Sequence, residues 1–321
     1  MSLQQYTGAK IEIDSKLYNS ELKPNLKLLN EMPSNTIIAT TTFYKDMNNA
    51  SDKLRAGLAY EMMRKATQLG YSVVVVDGKS DNNWRQKVKD LGIVLVDEDL
   101  SKYEGKHFMG RSRRQCLDVA ANYGKHPVIV WIEPEKHPMV EYEIAPRVKK
   151  FSAAEFSSAV YEGKASIVVP RRLDHLRGYP LQQQTEELTG NLTVFDIVRG
   201  YVAKKKGDDE ANKVPYLDLW VGPRAISRDS IDAFLQYSGT ANAQDHDRWE
   251  SIFNPVISEM LNGRIVRGVA VDYVHPKEQT QLEAANPEFS MKRVDQLVSI
   301  LNGVQNLLKE RDQQDLDVII N

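Results

Sequence analysis

The chain has 321 residues, of which 41% are hydrophobic and 27% charged, a composition typical of a folded globular protein and not of a disordered one. Its 42 lysines and arginines nearly balance its 44 aspartates and glutamates, so the formal charge of −2 excludes a broad basic surface for nucleic acid. Cys116, the one cysteine, cannot form an intramolecular disulfide. No apolar run is long enough for a transmembrane helix, and the first residues lack the apolar core of a signal peptide. A cytoplasmic protein is expected.

Strands and helices alternate through the first half of the chain. Residues 36–42 are typical of a buried strand, and a helix follows over 52–69, with Ser51 as the expected N-cap and Gly70 just past its end. The pattern then predicts strands at 71–77, 92–96 and 127–132 and helices at 82–91 and 110–123. This succession indicates an open, mostly parallel α/β (Rossmann-like) sheet flanked by helices. Sheets of this kind bind ligands beyond the carboxyl ends of their strands.

The second half is less regular. Strands are predicted at 166–170, 216–222 and 265–274, and helices at 192–204, 248–262 and 291–309. The last helix is amphipathic, and its apolar face carries Val294, Leu297, Leu301, Val304 and Leu308. Size and pattern favour one domain over 35–285, with an N-terminal extension at 1–34 and a C-terminal helical segment at 286–321 packed on the domain.

Polar side chains follow the first two strands. Thr40 and Thr41 come at the end of the first strand and are candidates for ligand binding. Asp77 ends the second strand, where a carboxylate accepts hydrogen bonds from the N–H groups of a nucleobase edge. The same aspartate equally well serves as a turn or capping residue before the next helix, so both interpretations stay open.

A basic loop follows the third strand. Its sequence EGKHFMGRSRRQ contains Lys106 and Arg111 and leads into a helix N-terminus, a location suited to neutralising a pyrophosphate. The phosphate-loop signature G-x-x-x-x-G-K-[ST] and the dinucleotide fingerprint G-x-G-x-x-G are both absent. Lys106 is the first choice for a phosphate contact and Arg111 a further candidate.

Two carboxylates flank a proline at the exit of the fourth strand. On an extended backbone Glu133 and Glu135 would point to the same side and reach one cation. Hard oxygen ligands of this kind suit Mg²⁺ or Mn²⁺ that carries substrate phosphates. The alternative is a solvated acidic turn without a metal.

The order of these motifs resembles that of nucleotide-sugar glycosyltransferases of the GT-A fold. The likeness is closest to the mannosylglycerate synthases and glucosyl-3-phosphoglycerate synthases, and it covers about residues 35–285. It implies a metal-dependent transfer of a hexose from a nucleotide-diphosphate sugar. GDP-mannose is the first expectation for the donor and UDP-glucose the second. The acceptor would be a small molecule, anionic in character, or a saccharide. Residues 35–138 would form the nucleotide-sugar half and 139–285 the acceptor half.

The resemblance also implies roles for particular residues. Glu133-Pro134-Glu135 matches the metal-binding Asp-x-Asp motif, His275 matches a histidine that supplies a further metal ligand, and Gly222 lies in the segment that borders the donor sugar. Two departures stand out. Glutamates replace both aspartates, and Pro223-Arg224 stands where the family has Gly-Glu. An arginine at that position favours an anionic group.

Acceptor residues are also implied by the resemblance. Arg171, Arg172 and Arg177 would face an anionic acceptor, although a solvated surface loop explains them equally well. Trp249, beside charges at a predicted helix start, is a candidate for stacking on a sugar. If the reaction inverts the anomeric centre, a carboxylate must take the acceptor proton, and the candidates are Asp247, Asp245 and then Glu250. If it retains configuration, these carboxylates position the acceptor.

Two other functions compete with glycosyl transfer. A nucleotidyltransferase that makes sugar nucleotides would have a similar sheet, but its G-x-G-T-R loop is missing after the first strand. A non-catalytic sugar-nucleotide-binding relative is compatible with the two glutamate substitutions. A homodimer is a possible assembly for any of the three.

Overall fold

The computed structural model describes residues 21–105, 107–145, 148–173, 178–239, 247–284 and 287–320, with side chains except at 142–145, 148 and 315–320. The strands are β1 Thr36–Thr42, β2 Ser72–Asp77, β3 Val94–Asp97, β4 Val128–Trp131, β5 Tyr142–Ala145, β6 Val148–Lys150, β7 Ile167–Arg172, β8 Arg224–Ser227 and β9 Val266–Val271. The helices are α1 Met32–Asn35, α2 Ala50–Leu69, α3 Asn82–Lys89, α4 Phe108–Asn122, α5 His137–Val140, α6 Ser152–Tyr161, α7 Leu181–Lys206, α8 Asp208–Ala211, α9 Ile231–Leu235, α10 Asn254–Leu261, α11 Lys277–Ala284 and α12 Pro287–Ile320.

Seven of these strands form one twisted core sheet in the order β3-β2-β1-β4-β8-β7-β9. β8 is antiparallel to both of its neighbours, and the other strands run parallel to one another. The buried runs of β1, β2 and β4 are apolar along their whole length, as expected for strands covered on both faces. The predicted mostly parallel sheet flanked by helices is therefore confirmed.

The strand order reverses between β1 and β4. The chain steps outward from β1 to β2 and β3, and then returns through α4 to β4 on the other side of β1. Because parallel crossovers are right-handed, this reversal puts α4 on the face opposite α2 and α3. Sheets of this kind bind ligands where neighbouring crossovers diverge, so the carboxyl ends of β1 and β4 are the expected place for a ligand.

The helix α2 begins two residues earlier than predicted. Asn49 is the N-cap, and its side-chain oxygen accepts hydrogen bonds from the backbone N–H groups of Ser51 and Asp52. The expectation that Ser51 caps this helix is thus wrong, because an asparagine two residues upstream reaches the free N–H groups first. Gly70 ends the helix with a φ of 93°, as predicted.

The predicted strand at 216–222 is wrong. This buried segment contains a 3-10 turn at Leu219–Val221, and the strand that joins the sheet is β8, a few residues later. The Asn191 side chain accepts a hydrogen bond from the Leu219 N–H, which an extended strand would give to a neighbour.

Other boundaries differ from the predicted ones. α7 and α12 extend well beyond 192–204 and 291–309, and β5 pairs with β6 in a ribbon that the sequence had not indicated. The predicted helix at 248–262 is divided into a 3-10 turn at Trp249–Ile252 and α10, because Pro255 lacks an N–H group and starts a new helix.

Both ends of the described chain pack on this sheet unit. The Leu22 N–H donates to the Gly268 carbonyl (2.9 Å), which adds a bridge to the edge strand β9. In α12, Val304 and Leu308 are buried as predicted. Val294 is exposed, and Ile300, which the predicted apolar face did not include, is fully buried instead. No helix in the described ranges combines the length and apolar content that a membrane span requires.

Candidate functional site

Several of the predicted site residues lie at one edge of the sheet. β1, β2, β4, β7 and β9 all end there, and the antiparallel β8 begins there with Arg224 opposite Trp131. Asp77 lies beside Thr42 at the ends of β2 and β1, and Arg172 lies beside Val271 at the ends of β7 and β9. We call this the carboxyl edge. The segments that follow these strand ends, Glu133 to Lys136 among them, supply the side chains of the site.

Asp77 is fully buried and bonded within the protein. Its carboxylate accepts hydrogen bonds from the Thr42 hydroxyl (2.7 Å) and from the N–H and hydroxyl of Ser80, and it pairs with Arg85 (2.9 Å). The bond to a residue three positions later is the turn role that the sequence left open. Base recognition by Asp77 stays a prediction.

The Glu133-Pro134-Glu135 segment is a turn and not the extended backbone on which the shared metal site was predicted. The Lys136 N–H donates to the Glu133 carbonyl (3.0 Å), which closes the turn. Glu135 is buried and accepts a hydrogen bond from the Tyr44 hydroxyl (2.9 Å). It also pairs with Arg55 (2.8 Å). Glu135 is thereby tied to α2 and to the loop after β1.

Glu133 lies against the backbone of Gly222. A Cβ atom added at Gly222, whose φ is 93°, would overlap the Glu133 carboxylate, so only glycine fits this approach. The Oε2 atom of Glu133 is buried and accepts no hydrogen bond from any described residue. Burial raises the pKa of Glu133, although the positive charges of Lys136, Arg113 and Arg224 act in the opposite direction.

Lys136 connects the two halves of the carboxyl edge. Its ammonium lies 3.9 Å from Glu133 Oε2 and 3.4 Å from the Tyr179 hydroxyl. It also lies 5.2 Å from the centre of the Tyr273 ring, within the range of a cation–π contact. Its side chain is 14% exposed.

His275 stacks on Tyr179 with ring centres 4.0 Å apart, and its Nε2 lies 3.3 Å from Glu283. Burial lowers the pKa of this imidazole despite the attraction of Glu283. Across the described residues, no three or more His, Cys, Asp or Glu side chains come together in a way that could hold a metal ion. No such group contains Glu133, Glu135 and His275, and metal binding by these three residues stays a prediction.

The arginines that follow β7 are paired within the protein. Arg172 is buried, donates to both carboxylate oxygens of Asp218 (2.7 and 2.6 Å), and pairs with Glu187 (2.8 Å). Arg171 binds Glu21 of the N-terminal segment. Acceptor binding by Arg171 and Arg172 stays a prediction, and these carboxylates are the partners that a ligand would have to replace or join.

Two other buried arginines have no carboxylate partner in the described ranges. Arg113 donates to the Arg248 carbonyl (2.7 Å) and to the Ser251 hydroxyl (3.0 Å). Arg224 donates to the carbonyls of Pro223 (2.7 Å) and Leu219 (2.6 Å). Burial lowers the pKa of each guanidinium to about 10, so both remain charged at neutral pH. We call Lys136, Arg113 and Arg224 the cationic cluster, because all three charges act on Glu133.

Asp247 is locked in a bidentate pair. Arg114 donates to Oδ1 (2.6 Å) and Oδ2 (2.8 Å), and the His107 N–H points to Oδ2 (3.3 Å). A Cβ atom at Gly105 or at Gly110 would overlap the Asp247 carboxylate, so the start of α4 closes directly around it. This arrangement supports a structural or positioning role more readily than proton transfer, and catalysis by Asp247 stays a prediction.

The remaining candidates lie in several environments. Glu250 is buried and bonded to Ser299 of α12, and the neighbouring Trp249 is buried beneath Arg248. Arg111 points one nitrogen at the Leu100 carbonyl (3.4 Å). Thr40 and Thr41 lie inside β1, and the Thr40 side chain is fully buried. Their binding roles stay predictions. Three further candidates lie outside the described residues: Lys106, Arg177 and Asp245.

Comparison with solved structures identifies similar folds. Mannosyl-3-phosphoglycerate synthase from Rubrobacter xylanophilus superposes with a TM-score of 0.50 at 13% identity, covering 88% of this chain and 78% of that one. Glucosyl-3-phosphoglycerate synthase from M. tuberculosis gives a TM-score of 0.49 at 13% identity, with 87% and 86% covered. Structures of the latter contain Mg²⁺ or Mn²⁺ together with UDP. No family model and no curated protein sequence matches the chain. The GT-A-like fold is therefore confirmed by structure alone.

The sequence did not single out Lys136, Tyr44 or Arg55. Lys136 could have been found from the sequence. It follows a strand-end glutamate by three residues, and the proline between them favours a turn that brings the lysine back to the Glu133 carboxylate. Tyr44 and Arg55 carry none, because only the tertiary packing of α2 brings them to Glu135.

Proposed function

We propose that this protein is a hexosyltransferase that uses a nucleotide-diphosphate sugar. The observation that carries the proposal is the reversal of strand order next to β4, in a GT-A-like sheet whose carboxyl edge holds Asp77, Glu133 and the cationic cluster. A nucleotide needs donors and acceptors for its base at one end and positive charge for its phosphates at the other. The cationic cluster supplies the positive charge, and Asp77 supplies an acceptor whose present partners, Thr42, Ser80 and Arg85, a base would have to replace or join.

The donor would lie across the ends of β2, β1 and β4. Its base would lie toward Asp77 and its diphosphate toward Lys136, with the sugar beside Gly222. GDP-mannose remains the first choice and UDP-glucose the second. The name of the Rubrobacter enzyme supports a mannosyl donor and a phosphorylated, anionic acceptor such as 3-phosphoglycerate. Buried arginines on the acceptor side are compatible with such an anion.

The reaction exchanges one C–O bond for another. The bond between the anomeric carbon and the diphosphate oxygen breaks, and that carbon bonds to an acceptor hydroxyl oxygen. The hydroxyl proton passes to a base or to the leaving diphosphate. The bidentate lock on Asp247 and the bonds of Glu250 favour positioning roles for these two carboxylates. We therefore favour a retaining reaction in which the diphosphate takes the proton, and Asp245, outside the described residues, is the base of the inverting alternative.

The largest catalytic contribution should come from stabilising the charge on the leaving diphosphate. That charge is neutralised either by a divalent cation, the Mn²⁺ or Mg²⁺ that the sequence predicts, or by side-chain cations. The proposed transfer requires one of these two sources of positive charge, and either of them is sufficient for it.

A thermal-shift screen of nucleotide sugars, with and without Mn²⁺, tests the proposal, because a ligand specific for the native state raises apparent stability. We expect one or two nucleoside diphosphates and their sugars to raise Tm. Glycerate, 3-phosphoglycerate and sugar phosphates should then accept the hexose from that donor. Pyrophosphate release from NTP and sugar phosphate would indicate a nucleotidyltransferase instead. Nucleotide binding without hydrolysis or transfer would indicate a non-catalytic relative.

A further inference from the structure

We propose that three side chains at the carboxyl edge, Lys136, Arg113 and Arg224, neutralise the charge of the donor diphosphate. The protein would then catalyse the transfer without a bound divalent cation. This inference rests on the proposed glycosyl transfer and concerns how the same site handles its leaving group. It departs from the sequence-based expectation that Glu133, Glu135 and His275 hold Mn²⁺ or Mg²⁺.

The first observation is that the predicted ligands do not converge. Glu135 is 6% exposed, and one of its oxygens already binds both the Tyr44 hydroxyl and the Arg55 guanidinium. His275 is buried between the Tyr179 ring and Glu283. Two atoms of the set, Glu133 Oε2 and His275 Nε2, are buried with no hydrogen-bond partner within the described ranges, and His275 Nε2 faces Glu283. With one carboxylate available, a Mg²⁺ or Mn²⁺ ion would have to take its other ligands from the substrate phosphates and from water.

The second observation is an excess of positive charge around that carboxylate. Arg113 and Arg224 are buried but donate only to carbonyl and hydroxyl oxygens, and Arg224 Nε has no partner among the described residues. Lys136 adds a third charge, 3.9 Å from Glu133. Burying a charge without a counter-charge is costly, so three cations around one carboxylate are the surroundings of an anion that binds there.

Neighbouring Arg172 provides an internal contrast. It is as deeply buried as Arg224, but Asp218 and Glu187 neutralise it completely. The chain therefore pairs a buried arginine directly in one place and leaves two others without a salt-bridge partner among the described residues. Carboxylates at longer range still act on them, Glu250 on Arg113 and Asp218 on Arg224. These two guanidinium groups lie where the diphosphate of a donor is proposed to bind.

The same charges disfavour a divalent cation. A Mg²⁺ or Mn²⁺ ion beside Glu133 would face the ammonium of Lys136 at close range and the two buried guanidinium groups beyond it. A diphosphate instead gains from all three. As the anomeric C–O bond breaks, the electron pair and the negative charge go to the diphosphate oxygen, and the Lys136 ammonium can donate a hydrogen bond to it.

The decisive experiment compares the full chain with and without metal. Protein stripped with EDTA is titrated with GDP and UDP by calorimetry, and donor hydrolysis and transfer are measured in EDTA, Mg²⁺ and Mn²⁺. We expect Kd and turnover to agree within about twofold across the three conditions. A loss of tenfold or more in EDTA that Mn²⁺ restores would overturn the inference while leaving the proposed function intact. Absence of nucleotide binding and transfer in every condition would overturn both.

Variants of Lys136 provide the second arm. Lys136→Met should weaken binding of the nucleoside diphosphate at least tenfold in EDTA, whereas Lys136→Arg should stay within about threefold because it keeps the charge. Lys206→Met, at the exposed end of α7, is the matched control and should leave Kd unchanged. Circular dichroism and Tm of the free proteins establish that each variant is folded. Equal affinity of folded Lys136→Met and wild type would refute the role of this lysine.

Discussion

At the scale of single residues, the site contains carboxylates that look alike in the sequence but have different roles. Asp77 and Asp97 end neighbouring strands and share the same partner, Arg85. Asp77 is fully buried with donors on both oxygens, whereas the Asp97 side chain is 75% exposed. A buried ion pair that loses one partner leaves the other charge uncompensated, and an exposed pair is screened by water.

This contrast predicts the effect of neutralising each aspartate. Asp77→Asn should lower the free energy of unfolding by about 2 kcal/mol or more, because Arg85 then loses its buried counter-charge. Asp97→Asn, the matched control, should change it little. Urea unfolding of the two variants checks the prediction, and equal losses would show that burial does not separate the two pairs.

Gly222 has both a backbone conformation that favours glycine and a close contact with Glu133. Gly222→Ala should lose stability through its positive φ and should also displace Glu133, against whose carboxylate the new methyl group would press. Gly263→Ala is the matched control, since Gly263 has a φ of 83° and open space around it. Both variants should lose about 1 kcal/mol in urea unfolding from backbone strain. Only Gly222→Ala should also weaken nucleoside-diphosphate binding, and unchanged affinity would contradict the contact.

At the scale of secondary-structure elements, the start of α4 is held by a residue more than a hundred positions away. The Asp247 carboxylate binds Arg114 and fills the space beside Gly105 and Gly110. The glycines of the basic loop, which the sequence associated with a phosphate, therefore also serve close packing inside the protein.

The packing around Asp247 reverses an ordinary rule of helix stability. Alanine normally stabilises a helix relative to glycine by about 1 kcal/mol. Gly57→Ala, at an exposed position of α2 with nothing within 4 Å of the added Cβ, should follow that rule. Gly110→Ala should instead destabilise, because its Cβ would overlap Asp247. Thermal unfolding of the two variants decides, and a rise in Tm for Gly110→Ala would show that α4 does not close around Asp247.

At the scale of the whole molecule, the two predicted halves share one sheet. β4, from the predicted nucleotide-sugar half, pairs with β8, from the predicted acceptor half. Within the second half, Arg172 of β7 pairs with both Glu187 of α7 and Asp218 of the 216–222 segment, so ion pairs connect separate elements there. A continuous sheet of this kind has no plane along which the halves separate easily.

We therefore expect the chain to unfold as one cooperative unit. Its four tryptophans, Trp84, Trp131, Trp220 and Trp249, are distributed over both halves and are all buried. Urea transitions followed by tryptophan fluorescence and by far-UV circular dichroism should coincide. Separate midpoints would indicate two independently stable domains and would contradict the single unit at 35–285.

The sequence by itself determined the type of sheet and the edge at which the candidate site residues that follow the strands lie. Apolar β-branched runs such as 73–76 specify strands covered on both faces, and polar residues come directly after the strands because the chain leaves the core there. Those signals are local, so a single sequence is enough to read them.

Only the tertiary structure decided which charges are free to act. Glu133 and Glu135 are chemically identical neighbours, but α2 brings Tyr44 and Arg55 to one of them, and the turn brings Lys136 to the other. Likewise Arg172 is neutralised by Glu187 and Asp218 while Arg224 is not. Electrostatic partnership depends on distances between segments far apart in the chain, and strand and helix patterns contain no information about those distances.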